Sequence, residues 1–142
     1  RYCKYPFYRD DDAGQMESDY VEIRLAEIIY SLAECKFRDG NVAEAGKLLN
    51  SVRRRNYPES AVKDYLYAPE GPIELTENEL LDEWGREFIS EGRRRTDLIR
   101  FNKFSTGVWW DKGADKDSHT EILAIPQDVL NSNSSLKQNP GY

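Results

Sequence analysis

The feature that most constrains the fold of this chain is an amphipathic pattern over 19–55 that is interrupted once, at Gly40-Asn41. Apolar residues recur there at the three- and four-residue spacing of an α-helix. Gly suits the left-handed position that ends a helix, and Asn can cap the next one. The pattern therefore predicts one helix starting near Asp19 and a second over 42–55. Because so short a connection makes the helices antiparallel, the sequence predicts an αα-hairpin.

The apolar stripe of the first predicted helix is wide enough to be buried on two sides. Its members are Val21, Leu25, Ala26, Ile28, Ile29, Tyr30, Leu32, Ala33 and Phe37. The second helix is predicted to turn inward Val42, Ala45, Leu48, Leu49 and Val52. Each fully buried Leu or Ile contributes about 1.5–3 kcal/mol, so packing of these faces would stabilise the hairpin.

Further helices are predicted after the hairpin. Thr76-x-x-Glu79 is a capping box that opens a third helix, which Gly92 is expected to end. Its predicted inner face consists of Leu80, Leu81, Trp84 and Phe88. Short helices are predicted over 94–102 and 127–131. The stretches between the helices are rich in Pro, Gly or charge and are predicted to be long loops, so 1–142 is expected to be a single all-α domain.

Composition excludes several classes of function. A formal net charge of −6 does not suit a partner that is a nucleic-acid backbone. Charges interrupt the apolar stretches too often for a transmembrane helix. His119 is the only histidine, which rules out a metal site built from histidines and a Ser/His/Asp triad. The acidic runs 10–12 and 111–117 lack the Gly-centred loop of a calcium site, so neither a metal nor a cofactor is predicted.

The two cysteines leave the redox compartment open. Cys3 lies near the first residue, but no lipobox precedes it, so a free thiol is favoured over a lipid anchor. Cys35 is expected to pack as a small apolar residue. A disulfide between them is the alternative, because sequence alone does not fix their distance. The chain starts at Arg1 without a leader pattern, which favours a processed product or a fragment.

A charged cluster is predicted around the third helix. Glu83, Glu87 and Glu91 share one helix face at four-residue spacing, and like charges so placed repel unless cations lie against them. Arg86, Arg94 and Arg100 are the expected suppliers, with Asp97 as a further acceptor. The alternative is that Glu87 and Glu91 form the carboxylate pair of a glycosidase. That spacing occurs on many helices, so a structural network of Glu87, Glu91, Arg94, Asp97 and Arg100 is preferred.

Aromatic residues in the loops suit sugar binding, because a pyranose ring stacks on an aromatic face while neighbouring polar groups bind its hydroxyls. Trp109 and Trp110, followed by Asp111 and Lys112, have this character. So do Tyr57, Tyr65 and Tyr67 in the Pro-rich loop. The favoured alternative for the tryptophans is that one of them closes the core beneath the loop.

Three blocks of the sequence resemble one family, the SusD/RagB family. The first block holds Arg24-Leu25-Ala26-Glu27, Gly40-Asn41 and Val52-Arg53-x-Arg55. The second holds Arg86-Glu87-Phe88, Glu91-Gly92 and Asp97-Leu98-x-Arg100-Phe101, and the third Ile125-Pro126-Gln127 with the ending Asn139-Pro140-Gly141-Tyr142. The three blocks occur in the same order as in the family, and together they cover nearly all of the chain from Asp19 to its end. The chain is identified as similar to the C-terminal part of such a protein.

The resemblance implies a fold and a function. Members have a tetratricopeptide-like helical scaffold and are lipid-anchored at the outer-membrane surface, with the anchor lying outside this chain. They bind oligosaccharide without catalysis and pass it to a SusC-like TonB-dependent transporter. Under this reading Trp109, Trp110, Tyr65 and Tyr67 are the candidate stacking residues. The alternative is a helical scaffold that docks to a partner membrane protein and does not bind sugar itself.

Overall fold

The computed structural model describes residues 19–142, and their contacts form two compact units with the boundary between Gly92 and Arg93. The first unit contains α1 (Leu25–Arg38), α2 (Val42–Arg53) and α3 (Glu77–Glu87), with 3-10 turns at Arg54–Asn56 and Val62–Tyr65. The second contains α4 (Arg94–Arg100), a 3-10 turn at His119–Glu121 and α5 (Gln127–Ser132). Over 19–142 the only strand pairing is two isolated bridges, so the predicted all-α class is confirmed. Cys3 and the acidic run 10–12 lie outside the described residues.

The turn between α1 and α2 has the predicted chemistry. Gly40 adopts a left-handed φ of 82° directly after α1. The side-chain oxygen of Asn41 accepts a hydrogen bond from the backbone N–H of Glu44 at 3.3 Å, which caps α2. Helix α1 begins at Leu25 rather than near Asp19, because Arg24 has an extended backbone with φ −133° and ψ 159°. The predicted hairpin is present, with a shorter first helix.

The core of the first unit is built from one face of each helix. Its apolar members include Ala26, Tyr30 and Ala33 of α1, Ala45, Leu49 and Val52 of α2, and Leu80, Leu81, Trp84 and Phe88 of or next to α3. The ring of Tyr30 meets those of Trp84 and Phe88 edge to face, with centroids 5.3 Å and 5.5 Å apart. Thr76 caps α3 through the N–H of Glu79 at 3.2 Å, as the capping box predicts. Helix α3 ends at Glu87, before the predicted Gly92.

The second apolar side of α1 is exposed, whereas the width of the apolar stripe predicted that it would be buried. Leu25, Ile28 and Leu32 are 74%, 57% and 48% exposed. Cys35, expected to be packed, is also exposed. Tyr30 with its neighbours Ala26 and Ala33 occupies the side that α2 and α3 cover, so within residues 19–142 only that side of the wide stripe is buried. The prediction of burial on two sides is therefore wrong for the part of the chain that the structure describes.

Side chains of the C-terminal tail hold an extended apolar segment in the second unit. Gln138 donates to the backbone oxygen of Ile125 and accepts from its N–H, both at 2.9 Å. Asn139 donates to the backbone oxygen of Leu123 at 2.7 Å, and Tyr142 to that of Ile122 at 2.9 Å. These groups supply the hydrogen bonds that a neighbouring strand would otherwise provide. The run 122–125 can therefore stay extended without joining a sheet.

No helix within residues 19–142 combines the length and apolar character that a membrane span requires.

Candidate functional site

A buried polar cluster joins the three helices of the first unit, and Glu83 lies at its centre. Its carboxylate accepts hydrogen bonds from the hydroxyls of Tyr30 at 2.8 Å and Tyr67 at 3.0 Å. It forms ion pairs with Arg53 from α2 and with Arg86 of its own helix, the latter at 2.8 Å. Since a buried charge is tolerated only when paired, these partners make Glu83 part of the frame. Burial, followed by the nearby carboxylate of Glu83, raises the pKa of both Tyr30 and Tyr67 well above that of a free tyrosine.

Glu87 and Glu91 face Arg24, a residue that the sequence analysis did not consider as their partner. The Arg24 guanidinium binds both carboxylate oxygens of Glu91 at 2.8 Å and also pairs with Glu87. Arg55 adds a second cation against Glu87. The hydrogen bond to Glu91, the largest influence, raises the pKa of Arg24 despite its partial burial. Both carboxylates are largely buried and committed to arginine, an arrangement suited to fixing α1 on α3 and not to donating a proton to a substrate.

Asp97 is the centre of a corresponding cluster in the second unit. It is fully buried and pairs with Arg93 at 3.2 Å and Arg100 at 3.0 Å. Arg94, the remaining member of the predicted network, starts α4 and is half-buried. Short-range partners of this kind on one helix orient the buried carboxylate and leave it no access to a ligand.

The Pro-rich loop is held rigidly on α2. Asn50, fully buried, donates to the backbone oxygen of Tyr67 and accepts from its N–H, both at 2.9 Å. Arg53 donates to the backbone oxygen of Tyr65 at 2.5 Å, and Arg54 pairs with Glu70 at 2.8 Å. The loop therefore presents its side chains from a fixed backbone, which lowers the entropy lost when a ligand binds.

The loop presents a stacked pair of tyrosines next to a cleft. The rings of Tyr57 and Tyr65 lie 4.3 Å apart and are parallel within 6°. Tyr65 is exposed, and Tyr57 lines an open cleft of about 230 Å³ together with Arg54, Glu59 and Val62. An aromatic ring beside a guanidinium and a carboxylate is the combination that sugar rings and their hydroxyls require. This cleft is the first candidate binding surface.

Tyr67 has a different position from the one predicted. It is fully buried, and its hydroxyl lies in the polar cluster around Glu83. No face of its ring is open to a sugar, so the stacking role predicted for Tyr67 is incompatible with this structure. The two side chains point differently because Tyr65 ends the 3-10 turn Val62–Tyr65, whereas Tyr67 follows the extended Leu66 and forms a bridge with Ile73.

The two tryptophans occupy a tight turn in the second unit. The backbones of Trp109 and Lys112 exchange hydrogen bonds of 2.8 Å and 3.2 Å, which places Trp110 at the tip. Trp109 is half-buried, with its ring against Gly107. Trp110 is 98% exposed. Neither is in the core, so the alternative that one of them closes the core is wrong, and Trp110 is the better placed of the two for stacking.

A second cleft, in the C-terminal unit, was not predicted. It encloses about 330 Å³ and is lined by Asp117, Ser118, His119, Ile122, Pro140 and Gly141. Hydrogen bonds from His119 lower the pKa of the Asp117 carboxyl. The Asn-Pro-Gly-Tyr ending contributes to this cleft because Gly141 lies directly against the imidazole. Periodicity and local motifs do not indicate this cleft, because it depends on a long-range contact between His119 and Gly141.

The chain is similar to proteins of known family and structure. A family model described as the SusD family matches residues 9–142. The starch-binding protein SusD of Bacteroides thetaiotaomicron is 35% identical over 151 aligned residues, which cover 98% of this chain and 25% of that protein. The solved structure of B. fragilis NanU superposes with a TM-score of 0.72 at 30% identity, over 97% of this chain and 30% of that one. The chain thus spans about a quarter of its curated relative's length.

Proposed function

This chain belongs to the SusD family, and from that membership we propose that it is part of a protein that binds carbohydrate without chemically altering it. The observation that carries the proposal is the 35% identity, over 98% of this chain, to a protein named for starch binding. The local structure supports it, because two sets of aromatic side chains are displayed for contact. One is the pair Tyr57 and Tyr65, and the other is Trp110.

The proposal includes the absence of catalysis. The acidic residues that a glycosidase would need, Glu87 at the end of α3 and Glu91 shortly after it, are held by Arg24. A general acid must reach the glycosidic oxygen within hydrogen-bonding distance, and carboxylates locked in buried ion pairs do not reach a ligand. Turnover of an oligosaccharide that disappears in Glu87→Gln, with binding retained, would contradict this part.

The cellular setting is also proposed from the family. We infer a lipid-anchored protein at the outer-membrane surface that passes its ligand to a SusC-like TonB-dependent transporter. The single-domain assignment of 1–142 stays a prediction, supported by one family match that extends over both units.

Binding to starch oligosaccharides and to a panel of other glycans, measured by calorimetry, tests the proposal. We expect Trp110→Ala and Tyr65→Ala to weaken affinity for the ligand that binds, and Trp109→Ala to have a smaller effect. Each lost stacking contact would cost about 0.5–1.5 kcal/mol. Tyr65→Phe keeps the ring and Val108→Ala removes an exposed neighbour of Trp110, so both serve as controls with unchanged affinity. Unchanged affinity in Trp110→Ala and Tyr65→Ala, with circular dichroism intact, removes these residues from the site.

A second candidate function is supported by the exposed apolar side of α1. A helical scaffold that docks to a partner protein and never touches sugar would show no binding to any glycan in the panel. The glycan panel therefore separates the two functions directly.

A further inference from the structure

The cleft in the C-terminal unit lies between two segments of the chain that hold each other in place. The hydroxyl of Tyr142 donates to the backbone oxygen of Ile122 at 2.9 Å, and its ring meets that of His119 edge to face with centroids 5.0 Å apart. Gly141 has a left-handed φ of 97°, and a Cβ there would overlap the side chain of His119. The cleft is therefore pre-formed, which lowers the entropy lost when a ligand binds. We call it the His119 cleft, and its lining residues are Asp117, Ser118, His119, Ile122, Pro140 and Gly141.

Three polar groups of the His119 cleft have hydrogen-bonding capacity that residues 19–142 leave unused. The Oδ1 atom of Asp117 accepts from the backbone N–H of His119 at 3.0 Å and pairs with its Nδ1, which leaves Oδ2 for a ligand. Because an ionised carboxylate only accepts, Nδ1 carries a proton in this pair and Nε2 is the ring nitrogen left over. The hydroxyl of Ser118 both donates and accepts. These three groups follow one another along the chain and line one cleft.

The unused groups favour a neutral ligand with several hydroxyls. The carboxylate of Asp117 requires a donor and repels an anion. The Nε2 atom of His119 accepts when the ring is neutral and donates when it is charged, and a hydroxyl matches either state. Ile122, 57% exposed, and Pro140 add apolar surface for C–H groups. The volume of about 330 Å³ lies at the lower end of the roughly 300–1,000 Å³ range of ligand pockets, which suits a single sugar ring.

We propose that the His119 cleft binds one neutral pyranose unit, in addition to the aromatic side chains proposed above as carbohydrate contacts. Asp117, Ser118 and His119 bind hydroxyls of the ring, and Ile122 covers its C–H groups. This inference rests on the proposed carbohydrate binding and adds to it a second location and a class of ligand.

The test follows the imidazole of His119 in the complete polypeptide encoded by the gene. Isotope-labelled histidine is incorporated, and the His119 resonance is assigned by its loss in His119→Gln. It is then followed by NMR during separate titrations with glucose, galactose, mannose and N-acetylglucosamine. We expect at least one of these neutral sugars to shift the resonance to saturation. Glucuronate and galacturonate are expected to bind at least about tenfold more weakly than the neutral sugar, because Asp117 repels their carboxylates. Equal or tighter binding of the acidic sugars overturns the assignment of a neutral ligand.

Conservative variants test which groups hold the sugar. Asp117→Asn is expected to weaken its binding at least about tenfold, as for the loss of hydrogen bonds to a charged group. Ser118→Ala, at an exposed position, should give a smaller loss and serves if Asp117→Asn does not fold. Asp128→Asn is the matched control, since Asp128 is exposed on α5 and does not line the cleft. Affinities in Asp117→Asn and Ser118→Ala equal to that of Asp128→Asn refute the site.

Calorimetry with the glycan panel separates this inference from the proposed function. If a glycan binds but none of the four sugars shifts the His119 resonance, the cleft is refuted and the proposed function stands. If no glycan and no sugar binds, both are refuted.

Discussion

At the scale of single residues, the first unit is organised by arginine–glutamate contacts that sequence spacing only partly indicates. Glu83 gathers Arg53, Tyr30 and Tyr67 from three different parts of the chain. Arg24 does the same for Glu87 and Glu91. Because each carboxylate is buried, removing one partner leaves a charge without compensation, so these contacts specify one arrangement of the helices.

The raised pKa values of Tyr30 and Tyr67 predict a loss of stability in alkali. Both tyrosines keep their protons in the folded chain at a pH where the unfolded chain, with pKa values of about 10, has lost them. The unfolded state then binds fewer protons, so the free energy of unfolding falls as pH rises above about 10, by roughly 1.4 kcal/mol per pH unit for each tyrosine. Urea unfolding at pH 9 to 11 (a range of about 2 units) measures this slope. In Tyr30→Phe the free energy of unfolding should fall less steeply with pH, by the contribution of one tyrosine. A slope identical to that of the parent would show that Tyr30 does not have a raised pKa.

Glu87→Gln is predicted to lower stability without affecting carbohydrate binding. The change leaves the guanidinium of Arg24 short of one anionic partner in a largely buried contact. We expect a loss of about 1–3 kcal/mol in the free energy of unfolding, the usual cost of an unsatisfied buried polar group. Glu22→Gln, on an exposed glutamate before α1, is the control. If the two variants have equal stability, the contact does not contribute to the fold.

At the scale of elements, the important contact is that of the Pro-rich loop with α2. The loop lies so close to α2 at Gly46 that an added Cβ there would overlap the backbone oxygen of Ala68. Asn50 then fixes Tyr67 through two hydrogen bonds. Helix α2 thus positions the stacked tyrosines Tyr57 and Tyr65, and a change on the helix should alter the candidate binding surface through the loop.

Gly46→Ala is expected to destabilise the chain and weaken ligand binding together. Overpacking against a backbone group costs about 1–3 kcal/mol, and the better helix propensity of Ala returns up to about 1 kcal/mol. A net loss of about 1–2 kcal/mol should therefore appear in urea unfolding. Gly113→Ala is the matched control, since nothing lies within 4 Å of a Cβ at that position. A Gly46→Ala protein as stable as Gly113→Ala would show that the loop moves aside without cost.

At the scale of the whole molecule, an acidic chain displays the exposed aromatic side chains that we propose as its carbohydrate contacts. The formal net charge is −6, and Arg54, the arginine that lines the tyrosine cleft, is already paired with Glu70. Binding by stacking and neutral hydrogen bonds makes little use of long-range electrostatics.

Affinity for a neutral oligosaccharide should therefore be almost independent of salt. Calorimetry at low and at high NaCl concentration is expected to give the same Kd within twofold. A polyanionic glycan is the control, because a net negative protein repels it and salt should improve its binding. A steep loss of neutral-glycan affinity with salt would show that charged groups, and not the aromatic rings, supply the binding energy.

The sequence by itself determined the features that depend on neighbours along the chain. The Gly40-Asn41 turn, the Thr76 cap and the inner face of α3 follow from local backbone preference and from helical periodicity, so they were predicted correctly. The start of α1 at Leu25 and the end of α3 at Glu87 were not. Family membership followed from the order of local motifs and was confirmed by the match over 9–142.

Only the tertiary structure decided which partner each of those local features meets. Periodicity marked both apolar faces of α1 but could not tell which one α2 and α3 cover. Charge spacing on α3 indicated that cations were needed near Glu87. The arginines that supply them are Arg24 and Arg55, which lie more than thirty positions away in the sequence. Tyr65 and Tyr67 are both tyrosines of the same loop, but the side chain of Tyr65 is exposed and that of Tyr67 is buried. Each of these outcomes depends on long-range packing, in which burial overrides what a residue prefers locally.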